Sequence, residues 1–358
     1  MNSPPRVIEL TTSPHLHTDR SVQMIMGNVV FALLPICAYA IWLFGISAFV
    51  LLVTTTAACV FTEHFACRIS RRESSVGDLS VVITGLLLGL ILPPGFPLWM
   101  AAVGGFIAVA PGKLLFGGLG FNVFNPALVA RAFLQAAFPV AITAYTPVLA
   151  LHRFAEWIPS TLAVPLMKAQ PLANWIHSVQ VDAFSGATPL MLQKFDHVST
   201  SPWVLLLGQR AGSAGETSAL LIFLCGAYLI IRKLMDWRIP AAMLGSAAIT
   251  GGVFYLIDPV RYPSPLFVVL SGGLMLGAMF MATDPVASPV TPAGVWIYGA
   301  LMGLITVLIR LKGGLAEGVM YAILLGNALS PLIDNLTQPR TYGARGKDAG
   351  APKREART

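Results

Sequence analysis

Ten mostly apolar stretches of 14 to 22 residues alternate with short polar breaks along most of this chain. They fall near residues 24–42, 46–65, 79–92, 98–116, 124–145, 218–231, 240–257, 266–282, 295–309 and 315–333. A helix that crosses a membrane needs roughly 20 predominantly apolar residues, because each adds about 1.5 Å against a hydrocarbon core of about 30 Å. The pattern therefore predicts an all-α polytopic membrane protein with about ten transmembrane helices. Five spans precede a long polar segment, 146–217, and five come after it. An odd number of crossings makes the second half begin from the opposite face, so related halves would be two inverted five-helix repeats. The chain divides into an N-terminal segment (1–23), a first membrane half (24–145), a loop (146–217), a second membrane half (218–334) and a tail (335–358).

Composition agrees with this class: 56% of the 358 residues are hydrophobic, 11% are charged, and the mean hydropathy is +0.73. The first 20 residues are polar, contain Pro and lack an apolar region followed by a small-residue cleavage site. The first span is thus expected to remain in the mature protein. With both termini inside, fifteen Lys and Arg residues lie on the cytoplasmic side against three in the short outer loops, Arg261, Arg310 and Lys312. That bias predicts an N-in, C-in topology, with loop 146–217 facing outward. The net charge of +7 is accounted for by cytoplasmic loops and a basic tail beside anionic lipid, so no nucleic-acid partner is expected. The tail from 337 to 358, rich in Gly, Ala and charge, is expected to be disordered. Cys37, Cys59 and Cys225 lie in apolar spans and Cys67 at a span end, without Cys-x-x-Cys spacing. They read as small apolar residues, and neither a disulfide framework nor a metal or cluster site is indicated.

Two segments break the apolar pattern in a comparable way. Gly104-Gly105 is followed by a Gly-rich run, then Asn122 and Phe124-Asn125-Pro126-Ala127. Gly272-Gly273 is followed by Ala282-Thr283-Asp284-Pro285. Broken backbone at membrane depth survives where it is buried in protein or lines a cavity, and Asn, Thr and Asp can satisfy the freed groups. The alternative is that Asn-Pro and Asp-Pro simply start the next helix. Ionisable residues inside the spans are few: Glu63, His64, Arg131 and Glu317. Arg131 sits deepest, where a phosphate, a flavin or a carboxylate could pair with it; snorkelling or pairing with a neighbouring chain are the other readings. No chain of acidic residues crosses the bilayer, so a complete ion path within this chain is not expected.

The most informative polar motif is Asp182-Ala183-Phe184-Ser185-Gly186-Ala187-Thr188-Pro189. Its Asp-x-x-Ser/Thr-Gly-Ala-Thr pattern resembles the acceptor motif on which FMN is joined through its phosphate to a threonine hydroxyl, here Thr188. Gly186 and Ala187 add little bulk beside that hydroxyl, and Pro189 stiffens the adjoining backbone. Asp182 either orients the loop or contacts a modifying flavin transferase. An ordinary Ser-Gly turn is the plain alternative for the short motif alone.

Ser13-Pro14-His15, Gly77-Asp78-Leu79, Thr84-Gly85-Leu86, Leu92-Pro93-Pro94, Phe124-Asn125-Pro126-Ala127, the 182–188 motif and Ala282-Thr283-Asp284-Pro285 occur in this order. Together they resemble the family that contains the D subunit of the Rnf (Rsx) electron-transport complex and the B subunit of the sodium-pumping NADH:quinone reductase. The resemblance implies covalent FMN on Thr188, with Asp182, Ser185, Gly186 and Ala187 around it. It also implies a non-covalent riboflavin in the membrane part near the cytoplasmic side, for which Asn122 and Asn125 are the nearest candidates, with Arg131 a further flavin-binding candidate. The function it implies is that of a flavin-bearing subunit of an ion-translocating oxidoreductase. Other membrane and peripheral subunits would hold ferredoxin and NAD sites, and the chain would not be active alone. No P-loop or Rossmann glycine pattern contradicts that division. The competing classes are a stand-alone transporter with inverted repeats and a structural anchor, neither of which needs a flavin.

Overall fold

The computed structural model describes residues 21–71, 75–165, 187–198, 200–216 and 218–339. Within them the regular elements are helices and no strand occurs. The first is α1 (Val22–Phe44), capped where the Ser21 hydroxyl accepts from the Met24 N–H at 3.1 Å. It stops at Gly45, whose φ of 76° is costly for a residue with a Cβ, and whose neighbour Arg153 leaves no room for one. Helix α2 (Ile46–Ile69) starts at once on the other side of this turn.

The first half continues with α3 (Ser80–Ile91), α4 (Leu98–Val109), α5 (Pro126–Ala137) and the single turn α6 (Pro139–Ile142). Two short helices, α7 (Pro189–Phe195) and α8 (Pro202–Leu207), lead to the second half. This contains α9 (Ala219–Ile231), α10 (Arg238–Ile257), α11 (Pro265–Leu270), α12 (Leu274–Leu276) running into a π-helix (Gly277–Met281), α13 (Pro292–Lys312) and α14 (Val319–Thr337). Among the described residues, six helical segments are long and apolar enough to cross a membrane: α1, α2, Leu98–Phe116 in which a turn and a short 3-10 helix prolong α4, α10, α13 and α14; α3 and α9 are shorter apolar helices. The chain is a polytopic membrane protein.

Two of the expected spans are interrupted. The 124–145 segment breaks at Phe138, because Pro139 cannot donate the hydrogen bond that would continue α5. The 266–282 segment breaks at Ser271-Gly272-Gly273, with Gly272 at φ 64°, and resumes as α12 and the π-helix. A helix of 12 residues such as α3 or α5 spans only about 18 Å, short of the hydrocarbon core. These short elements pack on one another between the long helices and bring irregular backbone inside the protein.

Packing has the same order in each half. Helix α2 lies on α3 and α4, and α4 on α5; likewise α10 lies on α11 and α13, and α13 on α14. The halves meet through α1 with α9 and α5 with α14. Small residues allow close approach, which matters because lipid chains provide no hydrophobic drive for helix association. A Cβ on Gly105 of α4 would meet the Ala58 Cβ at 2.7 Å, and one on Gly303 of α13 would strike Ser246 and Met243 of α10. The four cysteines are free and buried, in keeping with their apolar surroundings.

Candidate functional site

Two cavities lie at opposite ends of α5 and α9. The first, of about 120 Å³, is lined by the start of α1, Ser80 and Thr84 of α3, Lys113, Asn122, Asn125, the end of α9 and the stretch from Met279 to Val286. Its walls are largely apolar, with Met26, Leu87, Leu229 and Phe280 among them. Polar groups enter from the two broken segments that stand out in the sequence.

Asn125 is tightly engaged by the fold. Its Oδ1 accepts from the N–H groups of Ala127 and Leu128 at 3.1 and 3.4 Å, while Nδ2 donates to the Met281 carbonyl at 3.3 Å. With Pro126 at the first helical position, Asn125-Pro126 does start a helix, and it also sits on the cavity wall. Buried Asn327 of α14, its amide turned so that nitrogen faces Tyr298, accepts the Asn125 backbone N–H at 3.0 Å. Asn122 is less constrained: Nδ2 donates to the Phe124 carbonyl at 3.2 Å and the side chain hydrogen-bonds Asp284. Burial pushes the Asp284 carboxyl above its usual range, against the lowering effect of the Val286 N–H and Asn122. Asp284-Pro285 forms a turn; the next helix begins later, at Pro292.

Lys113 enters the same cavity from below α4. Its Nζ lies 2.8 Å from both carboxylate oxygens of Glu63 and 2.8 Å from the Ser80 hydroxyl. The Ser75 hydroxyl also donates to Glu63. Glu63 is therefore a fully buried, paired group, whereas its neighbour His64 is exposed.

The second cavity, of about 210 Å³, is lined by Arg131 and Gln135 of α5, Tyr145, Thr188, Leu190, Phe195, Glu216 and residues 314–317. Thr188 caps α7, its hydroxyl accepting from the Met191 N–H at 3.3 Å, and it is 7% exposed. Arg131 is equally buried, which excludes snorkelling to the interface. Its guanidinium hydrogen-bonds Tyr145, yet NH1 has no partner among the described residues. Glu216, held by the Ser213 hydroxyl at 2.7 Å, has its carboxyl pushed up by burial and by Glu317, with Arg131 acting in the opposite direction. Glu317 is bound to Arg310 at 2.9 Å and to the Gly273 N–H at 3.2 Å. The cluster thus ties the α11–α12 break to the Thr188 cavity.

Thr188 and Arg131, distant in sequence, share one cavity; Asn122 and Asn125 share the other. Ala187 precedes α7, and Asp182, Ser185 and Gly186 lie outside the described residues. Glu216, Tyr145 and Lys113 join these sites without a motif that marks them in the sequence. A lone carboxylate ending the Gly-Ser-Ala-Gly run just before an apolar span is the available signal for Glu216.

Residues 9–343 match the NQR2, RnfD, RnfE family. The chain belongs to this family. The D subunit of a proton-translocating ferredoxin:NAD(+) oxidoreductase complex from Clostridium ljungdahlii is 40% identical over 341 residues, covering 95% of this chain and 97% of the relative. The D subunit of a Na(+)-translocating ferredoxin:NAD(+) oxidoreductase complex from Acetobacterium woodii is 39% identical over 343 residues, with coverages of 94% and 95%. A third NQR2, RnfD, RnfE relative, the D subunit of an ion-translocating oxidoreductase complex from Halorhodospira halophila, is 37% identical with coverages of 94% and 95%. Relatives named for different ions are almost equally similar, so identity of this order does not select the ion.

Proposed function

We propose that this chain is the flavin-bearing membrane subunit of an ion-translocating oxidoreductase complex in the bacterial inner membrane. Electrons pass between ferredoxin and NAD sites on partner subunits, and this chain provides the stations between them. The single observation that carries the reading is the pairing of Thr188 with the buried, incompletely bonded Arg131 in one cavity. A threonyl phosphodiester bears one negative charge and acceptor oxygens, which suit an unpaired guanidinium nitrogen that is costly to bury alone.

When bound, FMN supplies one- and two-electron redox chemistry, and the protein contributes position and electrostatics. Thr188 holds the phosphate ester, Arg131 neutralises it, and Tyr145 fixes the Arg131 side chain. Glu216 and Glu317 border the same space and set its local field. At the other end, the apolar walls and the Asn122–Asp284 pair suit riboflavin, an uncharged ring system with hydrogen-bonding edges. Asn122 offers its Oδ1 there as an acceptor, because its NH₂ is committed to Phe124 and Asp284 and the Asn125 Oδ1 to the start of α5. Along α5, Pro126 lines the first cavity and Gln135 the second, nine residues or about 14 Å of helix rise apart.

The equal packing order of the halves supports inverted five-helix repeats, with Thr188 on the outer side and both termini inside. Coupled movement of Na⁺ or H⁺ then requires a conformational change between subunits that the redox state biases. Maturation requires a flavin transferase acting on the 182–188 motif.

The test is in-gel ultraviolet fluorescence of the denatured chain after co-expression with a flavin transferase, for wild type, Thr188→Val and Thr188→Ser. A fluorescent wild type and a dark, folded Thr188→Val variant are expected. A dark wild type would favour the stand-alone transporter. Because Val also loses the α7 cap, folding of each variant is checked by thermal unfolding, with Thr188→Ser keeping the cap.

A further inference from the structure

A third cavity, of about 230 Å³, borders the Thr188 cavity through Leu190, Phe195 and Ala316 and carries a different kind of chemistry. Lys194, His197, Arg261 and Arg310 line it, and among the described residues no carboxylate does. Within the same set the one ion pair made by any of the four is Arg310 with Glu317. Lys194 Nζ is held by the carbonyls of Gly313 and Leu315 at 2.5 and 2.7 Å, neutral acceptors that leave its charge uncompensated. Burial accordingly pushes the Lys194 ammonium below its usual range.

Two buried polar atoms on the wall have no partner among the described residues. Arg310, 4% exposed, binds the carbonyls of Val268 and Ser271 through NH1 and NH2, while its Nε is unpaired. Gln193, 7% exposed, has an unpaired Oε1. The unpaired Arg310 Nε, a buried charged donor beside an excess of positive charge, matches a group that accepts hydrogen bonds and carries negative charge.

The surroundings identify the source of that group. Phe195, Val260 and Leu266 are exposed around the cavity, and α10 ends nearby with Leu256 and Ile257 also exposed. Lys312 donates to the Tyr262 hydroxyl at 2.9 Å on the cavity's edge. An apolar, lipid-facing surface that ends in cations and a tyrosine is the arrangement expected at headgroup level. We propose that this cavity binds the phosphate of an acidic phospholipid from the leaflet at the Thr188 end of the bundle. The acyl chains would run along the exposed apolar side of α10 and α11. Lipid binding there does not require modification of Thr188.

The experiment uses the purified full chain in nanodiscs of phosphatidylcholine alone or with phosphatidylglycerol, reading retained lipid by native mass spectrometry and the melting temperature. Wild type is expected to retain phosphatidylglycerol and to melt higher in its presence. Lys194→Gln and Arg261→Gln should each weaken retention about fivefold; Arg261→Gln should melt like wild type in phosphatidylcholine alone, while Lys194→Gln, which loses its bonds to Gly313 and Leu315, is compared with its own melting temperature there. Thr188→Val should retain the lipid like wild type. Equal retention by wild type and both charge variants would overturn the proposal. So would equal stabilisation by inorganic phosphate in phosphatidylcholine nanodiscs, which assigns the cavity to a free anion. Loss of the lipid preference in Thr188→Val would assign it to the group attached there.

Discussion

The two ends of the bundle handle buried polar groups in opposite ways. At the Asn122 end, Lys113 is paired with Glu63 and Ser80, Asn125 is bonded at both ends of its amide, and Asn122 meets Asp284 and Phe124. At the Thr188 end, Arg131 NH1, Gln193 Oε1, Ser271 Oγ and Arg310 Nε have no partner among the described residues. Leaving a buried polar atom unpaired costs about 1–3 kcal/mol, more when it is charged; Thr56, Trp99, Thr146 and Thr161 also carry such an atom, but only Arg131 and Arg310 carry one on a charged group. The Asn122 end is a self-satisfied cradle suited to an uncharged guest. The Thr188 end leaves guanidinium nitrogens of Arg131 and Arg310 without hydrogen-bond partners among the described residues.

The largest effect should come from breaking the self-satisfied end. Lys113→Met leaves Glu63 buried without its cation and should cost about 3–5 kcal/mol in chemical unfolding, because desolvation of the remaining charge is uncompensated. Adding Glu63→Gln should recover most of that loss. Next in size, Asn125→Ala removes the α5 cap and should destabilise the chain by about 1–2 kcal/mol without changing flavin content, whereas Asn122→Ala should lower non-covalent flavin content. Equal behaviour of the two variants would remove the distinction drawn between a structural and a ligand-facing asparagine.

At the Thr188 end the sign reverses. Arg131→Met should leave the melting temperature of the flavin-free chain unchanged or raise it, since an incompletely bonded buried cation is lost, yet it should lower the melting temperature of the flavin-loaded chain. A large loss of stability without flavin would show that Arg131 is satisfied by the protein itself. The smallest effect concerns pH. The Glu216 carboxyl is raised in the folded chain, so its stabilising contribution is present in acid and is lost as pH rises through the folded value. Glu216→Gln should flatten the melting-temperature profile on that rising-pH side. An unchanged profile would mean that Glu216 titrates alike in folded and unfolded chains.

Much of this is legible in the residues. Apolar runs separated by polar breaks announce a polytopic helical protein, and Asn125-Pro126 announces a helix start. Phe138-Pro139 and Ser271-Gly272-Gly273 contain the breakers that interrupt two spans, but apolar runs on both sides hide them from a reading of hydropathy alone. Local chemistry is enough to mark Asn122 and Asn125, which do line a cavity. It is not enough for the neighbours of Thr188, because Arg131, Tyr145, Glu216 and Glu317 come from four separated segments and no local pattern links them.

Sequence by itself determined the class, the long helices and the chemical character of the motif ending at Thr188. Those depend on transfer free energies and backbone preferences, which act over a few neighbouring residues. Tertiary structure alone decided that Arg131 and Thr188 line one cavity, that Lys113 is neutralised by Glu63, and that Lys194 and Arg261 share a cavity without a carboxylate among the described residues. Burial and charge pairing are properties of what surrounds a group in space, so a buried cation is fully paired at one end of the bundle and incompletely bonded at the other.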